Sequence, residues 1–212
     1  MRVRVWDWPT RLFHWLVVAL IPLLWWSAKN DRMEQHMLLG SVMLALVLFR
    51  LIWGLIGSST ARFANFVKGP GAVISYLSGR AARALGHNPL GGWSVVAMLA
   101  LLSAQVTLGL FASDEDGIDS GPLSHLIDGD LSEQFAELHE QLFDVLLVLI
   151  GLHVAAILFY AAIRRRNLVA SMLTGSTEAQ EGVAPMRPAP MWRLAAAVVA
   201  AAGAAWWIHS GI

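Results

Sequence analysis

The stretch Glu137–Ile163 is apolar for long enough to cross a bilayer, and it carries two histidines, His139 and His153, 14 residues apart. On a helix of 3.6 residues per turn that offset is just under four turns. Both rings therefore leave one face, about 21 Å apart along the axis. A hydrocarbon core is about 30 Å thick, so one ring lies toward each membrane surface. Imidazole inside a membrane segment is costly and marks function. Two in register suggest two metal centres stacked across the bilayer, with haem iron the favoured metal.

Composition narrows the choices. Of 212 residues, 57% are hydrophobic and 14% charged, whereas a soluble domain carries about 25% charged residues. There is no cysteine, which excludes disulfides, thiolate-ligated haem, iron–sulfur clusters and covalently attached haem. Any metal must be held by His, Met or carboxylates. Ten tryptophans, several flanking the apolar runs, read as membrane-interface belts.

Four apolar runs are near spanning length: Leu12–Ala28, Met37–Phe49 continuing past Arg50 to Gly57, Trp93–Ala112 and Leu142–Ile163. The first is longer than a signal core, contains Trp15, Trp25 and Trp26, and lacks a small-residue cleavage site, so it reads as a retained helix. A fifth, Ala-rich run, Leu194–Ile208, is marginal for a span at fifteen residues, but Met191 and Trp192 extend it; a spanning helix is favoured over an interfacial or partner-packed one. The expected fold is all-α: an integral membrane four-helix bundle with an additional C-terminal helix. Residues 1–173 form the four-helix domain, 174–190 a flexible cytoplasmic linker rich in Pro, Gly and small residues, and 191–212 the extra helix. Arg2, Arg4 and Arg11, then Arg62, Lys68, Arg80 and Arg83, then Arg164, Arg165 and Arg166 fall on one side if the helices alternate. The positive-inside rule makes that side, and the N-terminus, cytoplasmic. The loop Ser113–Glu133 on the other side is acidic.

This topology gives each histidine a depth. His14 pairs with His153 toward the cytoplasm, and His36 with His139 outside. Taken singly, a histidine at a helix end is an interfacial residue more often than a ligand. Four matched in depth, two on one face, favour two bis-histidine haem b sites. Such ligation leaves no open iron position and suits electron transfer. A structural zinc site would need four ligands in one place. Arg50 follows His36 by 14 residues, so it shares that face at the depth of the inner haem, where a propionate would partner it; snorkelling to headgroups is the alternative. Asp144 lies about 140° around the helix from His139 and faces elsewhere. His125 and His209 read as surface residues. His87 precedes Asn88-Pro89, a cap followed by a first-position proline, near a haem edge or quinone.

Four stretches then stand out: Val5-Trp6-Asp7-Trp8-Pro9-Thr10-Arg11-Leu12-Phe13-His14-Trp15; Phe49-Arg50-Leu51-Ile52-Trp53-Gly54-Leu55-Ile56-Gly57; Ala61-Arg62-Phe63 with Gly69-Pro70; and Gly86-His87-Asn88-Pro89-Leu90-Gly91. Together they resemble the bacterial cytochrome b561 family, in particular its branch with the b-type cytochrome subunits of nickel–iron hydrogenases. The resemblance runs from about Val3 to Arg166 and leaves out the helix after Met191. It implies two b haems held from the first, second and fourth helices, which matches His14, His36, His139 and His153. It also implies electron exchange between a quinone pool and a redox partner.

The expected function is transmembrane electron transfer in the bacterial inner membrane, between quinone and a periplasmic protein such as a c-type cytochrome or a hydrogenase-like subunit. A homodimer fits the extra helix; nothing points to nucleic acid. One rival is a haem-free anchor or a proton or metal transporter, although no inverted repeat or broken helix pair is present. Another is an enzyme oxidising superoxide or a hydroquinone, against which the acidic outer loop argues for the anion.

Overall fold

A computed structural model describes residues 2–80, 86–114, 116–178 and 184–211. The elements in chain order are β1 (Arg2–Arg4), α1 (Trp8–Lys29), α2 (Met33–Ile56), α3 (Phe63–Phe66), α4 (Pro70–Leu77), α5 (Pro89–Phe111), a short 3-10 turn (Ser124–Leu126), α6 (Gly129–Ala162), α7 (Leu168–Thr174), β2 (Ser176–Glu178) and α8 (Met191–His209). Helices α1, α2, α5, α6 and α8 are long and apolar enough to cross a membrane. The protein is therefore a mainly helical membrane protein with the extra fifth span expected after Met191. Only 6% of the most apolar window of α6 is buried within the protein. Side chains such as Val148, Leu152 and Leu158 are exposed, and in a bilayer lipid supplies the apolar surroundings that water would not.

The chain divides into two compact units. The first comprises Met1–His14, Arg50–Ala97 and Gly151–Ala197, the second Trp15–Phe49, Met98–Ile150 and Val198–Ile212. Thirteen of the fifteen Lys and Arg residues belong to the segments of the first unit, and twelve of the fifteen Asp and Glu residues to those of the second.

In the first unit, Asp7 sets the start of α1. Its Oδ1 accepts from the Thr10 backbone N–H at 2.8 Å, an N-cap bond. Its Oδ2 accepts from Trp53 Nε1 at 2.9 Å, tying α1 to α2. The apolar run begins only at Leu12, but the cap moves the helix start back to Trp8. Chain entry is held further by an antiparallel pairing of β1 with β2, Arg2 opposite Glu178 and Arg4 opposite Ser176. Gly175, at φ +77°, ends α7 in the left-handed conformation that glycine adopts without strain. Its carbonyl accepts from the Val5 and Trp6 N–H groups. Arg11 donates to the Met172 and Leu173 carbonyls at the same helix end, where the dipole favours a cation.

The segment expected as a flexible linker therefore begins with a paired strand. After residues 179–183, which lie outside the described residues, Met186 N–H donates to the Arg4 carbonyl and Arg187 exchanges two bonds with Ser59. Arg193 then donates to the Ile56 carbonyl at the end of α2.

In the second unit, α6 begins at Gly129, about two turns before the apolar stretch. Those turns are mostly polar, with Leu131 and Phe135 as a sparse apolar stripe outside the uninterrupted apolar run. The loop from Ser113 to Asp128 folds back on the end of α5: Leu123 and Gly121 donate to the Leu110 and Ala112 carbonyls, and Ser132 Oγ donates to the Phe111 carbonyl at 2.6 Å.

Asp7→Ala should destabilise the protein by about 2–4 kcal/mol, summing a lost cap and a stranded buried indole N–H. Asp7→Asn, which keeps an acceptor, should cost less. Thermal unfolding in detergent checks the order; equal losses would contradict the double role.

Candidate functional site

Two clusters of imidazole form, one in each unit. In the second unit, α2 places His36 in its first turn and α6 presents His139. The ring centres are 6.1 Å apart and the planes nearly perpendicular, at 82°. Each Nδ1 faces a backbone carbonyl: His36 to Leu24 at 3.0 Å and His139 to Gln105 at 2.9 Å. A carbonyl oxygen only accepts, so both Nδ1 atoms carry the proton. Each Nε2 is left with its lone pair, the form in which imidazole binds a metal.

Several neighbours enforce this arrangement. Ser27 is fully buried. Its hydroxyl donates to the Leu24 carbonyl at 2.8 Å and its oxygen stands 3.3 Å from His36 Nδ1. Gln105 answers His139 reciprocally, its Nε2 donating to the His139 carbonyl at 2.9 Å. Gly109 lies one turn further along α5. A Cβ there would sit 2.9 Å from His139 Cε1, so only glycine leaves room for the ring.

His36 and His139 line a cavity of about 1160 Å³, together with apolar residues such as Leu102 and Leu146 and acidic ones such as Glu34, Asp114 and Asp119. It exceeds the usual range for small-molecule sites, about 300–1,000 Å³. Gly40 also lines it, with nothing within 4 Å of where a Cβ would stand. Asp144, expected to face elsewhere, belongs to the lining as well. So does His209, read from the sequence as a surface residue; it is exposed, yet its Nδ1 meets Ser41 Oγ at 2.8 Å. His125 is exposed on the 3-10 turn, as expected.

In the first unit, α1 places His14 and α6 places His153, close enough for their charges to interact. Two groups join them. Arg50 of α2 is 3% exposed and its guanidinium lies 4.9 Å from the Phe63 ring centre. His87 packs between Trp6 and Phe66, each 4.6 Å away between ring centres. Burial, followed by the charges of Arg50 and His153, pushes the His87 pKa down to about 4, so it is neutral at pH 7. Beside it, Asn88 caps α5 as its sequence implied, Oδ1 accepting from Gly91 N–H at 2.7 Å. The Asn88 amide donates to Tyr160, whose hydroxyl also bonds Tyr76. These are the chain's two tyrosines.

Residues 5–175 match the family model described as prokaryotic cytochrome b561. The chain belongs to the prokaryotic cytochrome b561 family. Comparison with curated proteins and with solved structures found no match. As a cytochrome b561, the protein is a multi-pass membrane protein that moves electrons across the bilayer through b-type haem. The matched region contains every histidine named above except His209, and it stops short of α8.

The donor set fits that group. An iron bound by two imidazoles at about 2 Å, each ring adding about 1 Å, requires ring centres about 6 Å apart. The 6.1 Å between His36 and His139 meets this. Among the described residues no group of three His, Asp or Glu side chains gathers as a bare metal site, which suits a metal whose other ligands come from a macrocycle.

Gly109→Val should drive the His139 ring out of line and release haem from this cluster, read as a lower haem-to-protein ratio in purified membranes. Unchanged haem content would contradict the fit.

Proposed function

We propose that the protein holds two b haems, one gripped by His36 and His139 and the other by His14 and His153, and passes electrons between the quinone pool and a periplasmic redox protein. The observation that carries this reading is the His36–His139 pair: perpendicular rings 6.1 Å apart, both with Nδ1–H committed and Nε2 available. His14 and His153 extend it by sharing one environment in the other unit. Arg50 stands with them as the partner for a haem carboxylate.

Haem iron, when bound, supplies a one-electron couple at each site. The protein's own part is to fix the ligands. The Leu24 and Gln105 carbonyls hold the tautomer and raise the basicity of the ring, which favours the oxidised metal. Two imidazoles from His36 and His139, or from His14 and His153, would leave a bound haem iron no open position for oxygen. Apolar residues such as Leu102 and Leu146 line the same cavity as the pair and would give a macrocycle an apolar surface to pack on.

Orientation follows from charge. The basic segments of the first unit belong on the cytoplasmic side of the inner membrane, with the N-terminus. The acidic loop before α6 then faces the periplasm, where it would steer a basic protein partner, a c-type cytochrome or hydrogenase-like subunit. Quinone exchange would complete the path.

Purified protein should show a b-type reduced-minus-oxidised spectrum and two haems per chain. His153→Ala and His36→Ala should each lose one, and the double variant both. A colourless protein, or both haems retained in either single variant, would defeat the proposal.

A further inference from the structure

Arg50 and His87 each bring to one region a buried polar atom that the described residues leave without a partner. Arg50 Nη1 and His87 Nδ1 are both buried, and neither has a hydrogen-bond partner among the described residues. A guanidinium 3% exposed with an idle N–H is expensive to keep unless an anion joins it. Asp7 lends Arg50 its charge from nearby, but both of its oxygens already accept, from Thr10 and Trp53.

The two donors are held in one aromatic cradle. Arg50 lies over Phe63 at 4.9 Å, Phe63 meets Phe66 at 5.8 Å, and Phe66 meets His87 at 4.6 Å. Gly54 makes this possible, because any Cβ there would overlap the Phe63 ring. Trp6 closes the far side of His87. His87 is neutral in this setting and senses the charges of both Arg50 and His153. One cation beside a neutral imidazole, both rigid and dry, selects a single carboxylate through charge-assisted bonds.

We propose that Arg50 and His87 together hold a propionate carboxylate of the porphyrin gripped by His14 and His153. This rests on the two-haem reading above and gives His87 a role as a cofactor-binding residue. The guanidinium would supply charge and the imidazole a directed N–H, so that both the seating and the reduction potential of that haem depend on them. A lipid headgroup phosphate is the other source of an anion, and the test separates the two.

The full-length holoprotein is produced with haem labelled with 13C at its carboxyl groups, and infrared difference spectra are recorded between reduced and oxidised states. In Arg50→Gln and His87→Leu the label-sensitive carboxylate bands should shift, and the midpoint potential should fall for the haem that His153→Ala removes but not for the one that His36→Ala removes. Arg50→Lys should recover part of the shift. Where Arg50→Gln loses that haem outright, His87→Leu decides. Label-sensitive bands identical to wild type in His87→Leu, or equal movement of both potentials, would overturn the inference; a phosphate partner would give the former. Wild-type protein without haem would instead sink the two-haem reading.

Discussion

The site depends on one kind of hydrogen bond, imidazole Nδ1–H to a helix carbonyl. His36 gives it to Leu24 and His139 to Gln105. In a bilayer no water is present to satisfy a stray N–H, so these bonds fix both the tautomer and the ring angle. The other nitrogen of each ring keeps its lone pair. Helix carbonyls can accept in this way because each has a second lone pair beyond its helical bond. The same acceptors lie on neighbouring apolar helices, so the bonds that orient the two rings also join α2 to α1 and α6 to α5.

The first unit solves a different problem. It gathers most of the positive charge of the chain, and one cation, Arg50, is buried. Aromatic rings and the nearby Asp7 offset part of that cost, and Asp7 also caps α1 and receives Trp53. The chain thus uses one carboxylate for helix start, helix pairing and electrostatics. Charge is partitioned between the units, basic in one and acidic in the other.

Much of this was legible in the sequence. Apolar length gave the spans, and the 14-residue spacing of His139 and His153 put both on one helix. Histidine depths paired His36 with His139, which do meet. Gln105 was missed, although it had a signal: it is the one amide in an otherwise uncharged apolar run. The start of α6 was placed late because its first turns lie outside the uninterrupted apolar run, although Leu131 and Phe135 continue the helical spacing of Leu138 and Leu142. The Ser41–His209 bond joins residues 168 apart, and no local pattern encodes such a contact. The segment after Thr174 read as linker because its composition is that of a loop, whereas backbone bonds to Arg4 and Ser59, invisible in composition, hold its described parts.

Axial ligation is the point on which the account stands or falls. Near-infrared magnetic circular dichroism of the fully oxidised protein reads the ligands of ferric haem directly. The arrangement of Nε2 atoms described above gives a low-spin spectrum with the charge-transfer band of bis-imidazole iron and no high-spin component. A high-spin spectrum, or a band belonging to a methionine ligand, would contradict it.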